Sequence, residues 1–431
     1  MNNASTANSR RARVRRPQRD QIEWRPLALD QLLPDDHRAR AVWRYVESLD
    51  LSPLYQKIQA VEGEPGRDAT DPRILFALWM FATIDGVSSA RHLDRLCERD
   101  LAYLWICGGV SVNYHLLSDF YTNHADLLDQ LLTDTVAPLV HQGLVTLETV
   151  GQDGMRVRAA AGSSSFRRQP TLEKCREQAR RQVQQLREER EQETGRDASS
   201  ARRQAAQERA ARERQERVEK ALEELETLRE QKEKREKGSG HKARSSTTDP
   251  EARVMKMADG GFRPAYNVQF ATDGGARVIV GVDVTNNGSD GGQMAPMHEE
   301  VSKRYGKTPE HYLVDGGFTT LDDITAVEKR GSEVLGPIHA ADRLQAAGKD
   351  PHARQRRDTD EVFAFRQRMA GAEAQTLYKQ RPSIAEFPNA ECRNRGLRQF
   401  RVRGLEKVKA VTLWYALTFN LMRMLHLGCL E

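Results

Sequence analysis

Apolar positions divide the chain into regimes of different period. From about Trp24 to Gln142 they recur at helical spacing. Asp71 followed by Pro72 is a helix start, with a side-chain acceptor at the cap and proline where its missing N–H costs nothing. Residues 74–82 are apolar on every side, which predicts a central, buried helix ending at Gly86. Ser88 and Ser89 then open an amphipathic helix, dry at Ala90, Leu93, Leu96 and Cys97 and wet at Arg91, Asp94, Arg95 and Glu98. Two short helices joined by a glycine turn match a helix-turn-helix, and plain helix packing matches equally well.

From Leu144 the period shortens. Leu144, Val145, Thr146, Leu147 and Val150 lead into Asp153-Gly154, and Arg156-Val157-Arg158 alternates, as strands do. Residues 171–237 are dominated by interleaved charges of both signs, with apolar positions such as Leu172, Ala179, Val183 and Leu186, or Val218, Leu222, Leu225 and Leu228, mostly three or four apart. Narrow stripes of this kind need a partner helix, so a long helix or helical hairpin is expected, as a solvated spacer or a binding surface. Residues 266–270 and 278–284 read as neighbouring strands around a turn at 272–275, and residues 312–314 and 333–336 as two more. A helical segment through residues 405–430 follows. The whole predicts a mixed α/β sheet covered by helices, preceded by an all-α region and interrupted by a charged helical insertion.

Charge sharpens this picture. Lys and Arg number 67 against 62 Asp and Glu, a net charge of +5, and Arg10, Arg11, Arg13, Arg15, Arg16 and Arg19 crowd the first twenty residues with only Asp20 opposing them. A basic arm that meets phosphate is expected, with an organelle transit peptide as the alternative. No apolar run reaches the roughly 20 residues needed to span a bilayer, so a soluble, cytoplasmic protein without membrane contact is expected. Five dispersed cysteines point to neither a disulfide framework nor a zinc site. His115, His124 and His298 lack metal-ligand spacing. Phosphate-loop, HExxH and GxSxG signatures are missing from the sequence, which removes the usual markers of ATP use, zincin chemistry and serine hydrolysis.

Three carboxylates stand out. Asp153 and Asp315 each follow an apolar strand and precede glycine, and Glu386 begins a helix after Tyr378 and Arg381. Such acids can converge at one mouth of a sheet and hold Mg²⁺ through hard oxygens. Other readings are open: a strand-terminal Asp-Gly is commonly a turn, Ser383 to Glu386 has the form of a capping box, and Asp283 competes for a catalytic position. Asp259 and Asp290, among glycines, read as turn residues.

Residues 152–157, 266–269, 282–286, 314–318 and the stretch from Tyr378 through Glu386 to Leu397 occur together and in order, and they resemble bacterial insertion-sequence transposases of the DDE type. Residues 86–91 resemble the N-terminal domain of the same transposases, and the charged insertion fits one branch of them. The resemblance implies an RNase H-like fold and a metal-binding triad of Asp153, Asp315 and Glu386 with two Mg²⁺ ions, or Mn²⁺. Tyr378, Arg381 and Arg393 match the family's accessory catalytic positions, Arg393 in place of a lysine. It further implies double-stranded DNA as partner, a dimer or larger assembly on paired ends, and a bacterial, nucleoid-associated location. The expected organisation is a basic arm (1–23), a helical DNA-binding domain (24–142), the first part of the catalytic domain (143–170), the helical insertion (171–240) and the rest of the catalytic domain (241–431). Arg395, Arg398, Arg401 and Arg403 are expected to contact DNA backbone. Pro388, two residues after Glu386, predicts a disturbed helix. A transposon-derived DNA-binding protein that has lost catalysis is the second reading, and a coiled-coil scaffold the third.

Overall fold

A computed structural model describes residues 28–60, 68–192 and 198–429. Arg10, Arg11, Arg13, Arg15 and Arg16 lie outside the described residues. The strands are β1 (Thr149–Arg158), β2 (Phe166–Arg167), β3 (Ser245–Ser246), β4 (Arg253–Lys256), β5 (Phe262–Asp273), β6 (Ile279–Thr285), β7 (His311–Leu313) and β8 (Glu333–Leu335). β2 and β3 pair with each other, and the other six form one mixed sheet. β5 runs antiparallel to β1 along one edge and to β6 and β4 along the other. β7 and β8 continue from β1 in parallel. This order and these directions make the fold α/β and RNase H-like, with an all-helical region before it.

The apolar stretch 144–147 is not a strand. Leu147 takes a left-handed φ of 54° and donates its N–H to Asp273 Oδ1 at 2.9 Å, so Val145 and Leu147 are buried as a turn. At Asp71 the expected cap is present, its carboxylate accepting from the Arg73 N–H at 2.8 Å, and the Pro72–Ile84 helix is buried almost throughout. Ser89 occupies the cap position of the Ala90–Arg99 helix without capping it.

The helix Leu405–His426 joins the two regions. Its Trp414 packs on Phe76 with ring centroids 4.6 Å apart and donates to the Tyr121 carbonyl at 3.1 Å. On its other side Asn420 bonds both the N–H and the carbonyl of Ile279 on β6, each at 2.8 Å. One continuous hydrophobic core therefore runs from the N-terminal helices into the sheet. The charged segment forms two helices, Gln169–Gln192 and Ala198–Arg235. They are antiparallel, as Arg180 to Glu219 at 2.9 Å and Arg190 to Glu208 at 3.2 Å require. Leu172, Ala221, Leu225 and Ala243 make a small separate core at their base, and Lys220–Glu251 and Arg253–Glu224 tie the second helix to the sheet. Each narrow stripe has found the partner it needed.

His298 belongs to this core. Its Nε2 lies 2.6 Å from Ser332 Oγ, and burial, followed by Arg330, pulls its pKa down to about 4. The unfolded chain binds a proton near the ordinary value of 6.5, so the neutral ring supports the fold above that pH and the support is lost as pH falls toward 4. Between pH 7 and pH 5 this group costs the fold about 2 kcal/mol. His298→Gln is expected to flatten the dependence of melting temperature on pH in that window. An unaltered slope would exclude His298 as its source.

Candidate active site

β1 and β7 run parallel with Gly151 opposite Leu313. Asp153 and Asp315, each two residues further on, therefore lie side by side. Only Asp315 follows a strand end: β1 runs on through Asp153-Gly154 to Arg158, paired with β5, so the expected strand ending at Asp153 is not there. Asp283 does not join them. Asp153 pairs with Phe270 of β5 while Asp283 pairs with Gln269, and successive residues of β5 face opposite sides of the sheet.

Glu386 arrives on a π-helical turn, Pro382–Glu386, which passes directly into the α-helix Phe387–Asn394. In an α-helix, side chains five residues apart diverge by about 140°. The wider π repeat, closing from i to i+5, brings them back to one side. Arg381 and Glu386 accordingly meet, Nη1 to Oε1, at 2.8 Å. The turn lies directly on β1, where a Cβ on Gly151 would stand 2.9 Å from Ile384 Cγ2 and 3.2 Å from Ala385 Cβ. Glycine at 151 is what permits this approach.

Two expectations about this segment are corrected. Ser383 forms no capping box with Glu386, because its hydroxyl donates to the Gln380 carbonyl at 2.8 Å. Pro388 does not break a regular helix, because it stands in the first turn of the α-helix that follows the π turn, where proline is tolerated. Pro388→Val is therefore expected to leave any cleavage rate within about twofold of wild type and to cost at most about 1 kcal/mol, through the unfolded chain. A several-fold rise in rate would restore the view that the proline limits the site.

A single guanidinium connects all three acids. Arg381 lies 2.8 Å from Glu386, 3.1 Å from Asp153 and 3.9 Å from Asp315. Asp153 is the enclosed member, with 15% of its side chain exposed against 41% for Asp315 and 53% for Glu386. Burial, the dominant influence, pushes the Asp153 carboxyl up to about 6; Arg381 opposes this, Asp315 adds to it, and a bond from Asn389 opposes it again. Tyr378 stands half-buried at the end of the Ala372–Tyr378 helix, its hydroxyl pKa raised mainly by burial. With the acids gathered around Arg381, no group of three or more acidic, His or Cys side chains among the described residues is spaced to hold a metal ion. The donor set nevertheless fits a hard cation: three carboxylates and one guanidinium leave two negative charges uncompensated when all are ionised.

Comparison with known families decides the identity. Residues 238–421 match the transposase DDE domain and residues 27–123 match a transposase domain designated DUF772. The chain belongs to the DDE transposase family. No curated protein and no solved structure matches it. In this transposase the DDE match contains Asp315 and Glu386, whereas Asp153 precedes it; the register of β1 against β7 sets Asp153 beside Asp315, and the π turn seated on β1 brings Glu386 to them.

The basic stretch of the transposase divides in two. Arg393, Arg398, Arg401 and Arg403 are exposed. Arg395 is half-buried, bonding the Ile84 carbonyl at 3.3 Å and lying 3.6 Å from Glu391. Arg401 also donates to Ser88 Oγ at 3.0 Å, and a Cβ on Gly86 would meet the Arg395 carbonyl at 3.2 Å. The turn between the two short helices is thus seated on the DDE region. Among the described residues no helix is long and apolar enough to cross a membrane.

Two groups of residues escaped the sequence reading. Asn389 donates to Asp153 Oδ2 at 2.8 Å; its place three residues after Glu386, nearly the same side of a helix, was the available signal. Asp290, read as a turn residue, is buried on the opposite side of the sheet. It accepts from Asn267 at 2.8 Å, Gln269 at 2.9 Å and Arg156 at 2.6 Å, and a Cβ on Gly154 would come within 2.3 Å of it. No local pattern announces that network.

Proposed function

We propose that this transposase cuts DNA at the ends of an insertion sequence and joins the freed 3′ ends to target DNA, with Asp153, Asp315 and Glu386 holding divalent metal. The observation that carries the reading is the meeting of these three acids, from β1, the end of β7 and the π turn, around one buried cation. In-line attack by water on phosphorus breaks the P–O3′ bond and leaves a 3′-hydroxyl; this hydroxyl then attacks a target phosphodiester, forming a new P–O3′ bond as the target's own P–O3′ bond breaks and its 3′ oxygen leaves as a hydroxyl. Mg²⁺ or Mn²⁺ bound there supplies the Lewis acidity that makes water a nucleophile near neutral pH and neutralises charge on the leaving oxygen. Arg381 binds a phosphate oxygen of the DNA, to which its planar fork is suited. Tyr378 packs beside it and orients the backbone at the scissile position. Arg393, Arg398, Arg401 and Arg403 follow the flanking strand, and Arg10, Arg11, Arg13, Arg15 and Arg16 add phosphate contacts. Two copies acting on paired ends complete the assembly.

The test is incubation of the full chain with duplex bearing the element's ends. Nicks at the ends that require Mg²⁺ or Mn²⁺ and stop on chelation are expected. Binding without nicking in either metal would overturn the reading in favour of a DNA-binding role.

A further inference from the structure

Both oxygens of Asp153 are held, each by a different residue. Oδ1 receives Arg381 at 3.1 Å and Oδ2 receives the Asn389 amide at 2.8 Å. Arg381 divides its donors among three acids, so its hold on Asp153 is shared. Asn389 instead directs its amide donor to Asp153. Asn389 is 3% exposed and lies on the helix that begins directly after Glu386, so one rigid element sets the position of two of the acids. Its other end is unspent: Asn389 Oδ1 is buried and accepts no hydrogen bond among the described residues. Buried amides are ordinarily satisfied at both ends. An acceptor left open beside a carboxylate suits a donor that arrives with a ligand.

We propose that Asn389 is the positioning residue of the metal centre. Its Nδ2 fixes the plane of Asp153, and its Oδ1 accepts a hydrogen bond from a water in the shell of the divalent ion. The proposal rests on the reading of Asp153 as a metal ligand. Partners that orient a ligating carboxylate typically govern affinity by about 10- to 100-fold.

The test is Mn²⁺ binding to the full chain, followed by electron paramagnetic resonance, with melting of the metal-free protein alongside. Asn389→Ala and Asn389→Leu are expected to weaken Mn²⁺ binding by about 10- to 100-fold while affinity for element-end DNA stays unchanged. Asn389→Leu, close in volume, carries the test if the alanine variant fails to fold. Asp153→Asn is the reference and is expected to lose Mn²⁺ at least as severely. Wild-type Mn²⁺ affinity in the Asn389 variants, with or without a lower melting temperature, overturns the proposal if Asp153→Asn loses the ion. Wild-type affinity in Asp153→Asn itself overturns the metal-centre reading and the proposal with it.

Discussion

Asp153→Asn, Asp315→Asn and Glu386→Gln are each expected to abolish metal-dependent cleavage and to leave end binding within a few-fold of wild type. Each removes one ligand charge with almost no change in volume. Asp153→Asn should also stabilise the metal-free protein at pH 7. The Asp153 carboxyl stands at about 6 in the fold against 3.8 ordinarily. A raised value favours the fold at pH below 4, and that contribution is lost as pH rises through 6; at pH 7 the charged form costs about 3 kcal/mol. The variant should therefore melt higher than wild type at pH 7 and lose the difference by pH 4. Glu391→Gln is the control, since Glu391 pairs with Arg395 at 3.6 Å, and its cleavage rate should be near wild type. Cleavage that survives any one of the three triad substitutions in Mg²⁺ would remove that residue from the triad.

Gly151→Val is expected to be almost as severe without touching a charge. A Cβ there already meets Ile384 Cγ2 at 2.9 Å, and the β-branched Ile384 has few rotamers into which it can retreat. Valine must therefore lift the π turn from β1 and carry Glu386 and Arg381 with it. Displacements of about 1 Å at a reacting centre cost roughly 100-fold in rate, and overpacking of this kind costs about 1–3 kcal/mol of stability. Cleavage should fall by two orders of magnitude in a protein that still melts cooperatively. A near-normal rate would show that the turn does not depend on its seat against β1.

The legibility of the chain followed the range of the interactions. Residues 266–270 lie within β5, and the 278–284 stretch falls on β6 from Ile279 onward, because buried strands carry apolar runs that need no distant partner to be recognised. The charged segment read as one long helix or a helical hairpin because a three-to-four stripe without aromatics has few other solutions, and the structure is the hairpin. Residues 144–147 misled for the converse reason: their apolar side chains are buried, but a bond from Leu147 to Asp273, 126 positions away, holds them in a turn. The capping box failed likewise, since Ser383 to Glu386 fits the local pattern while the contacts of Arg381 select a π turn.

By itself the sequence determined the mixed α/β class, the strand ending that presents Asp315, the helical insertion and the candidacy of Asp153 and Glu386, though not that β1 continues through Asp153. These follow from periodicity and turn chemistry over a few residues. Only the tertiary structure decided that β1 and β7 share a register that sets the two aspartates side by side, that Gly151 admits the π turn bearing Glu386, that Asn389 rather than a charged residue completes the hold on Asp153, and that the N-terminal helices share their core with the sheet through Leu405–His426. Each depends on surfaces brought together from more than 100 residues apart. Their fit is a property of packed shapes, which local pattern does not encode.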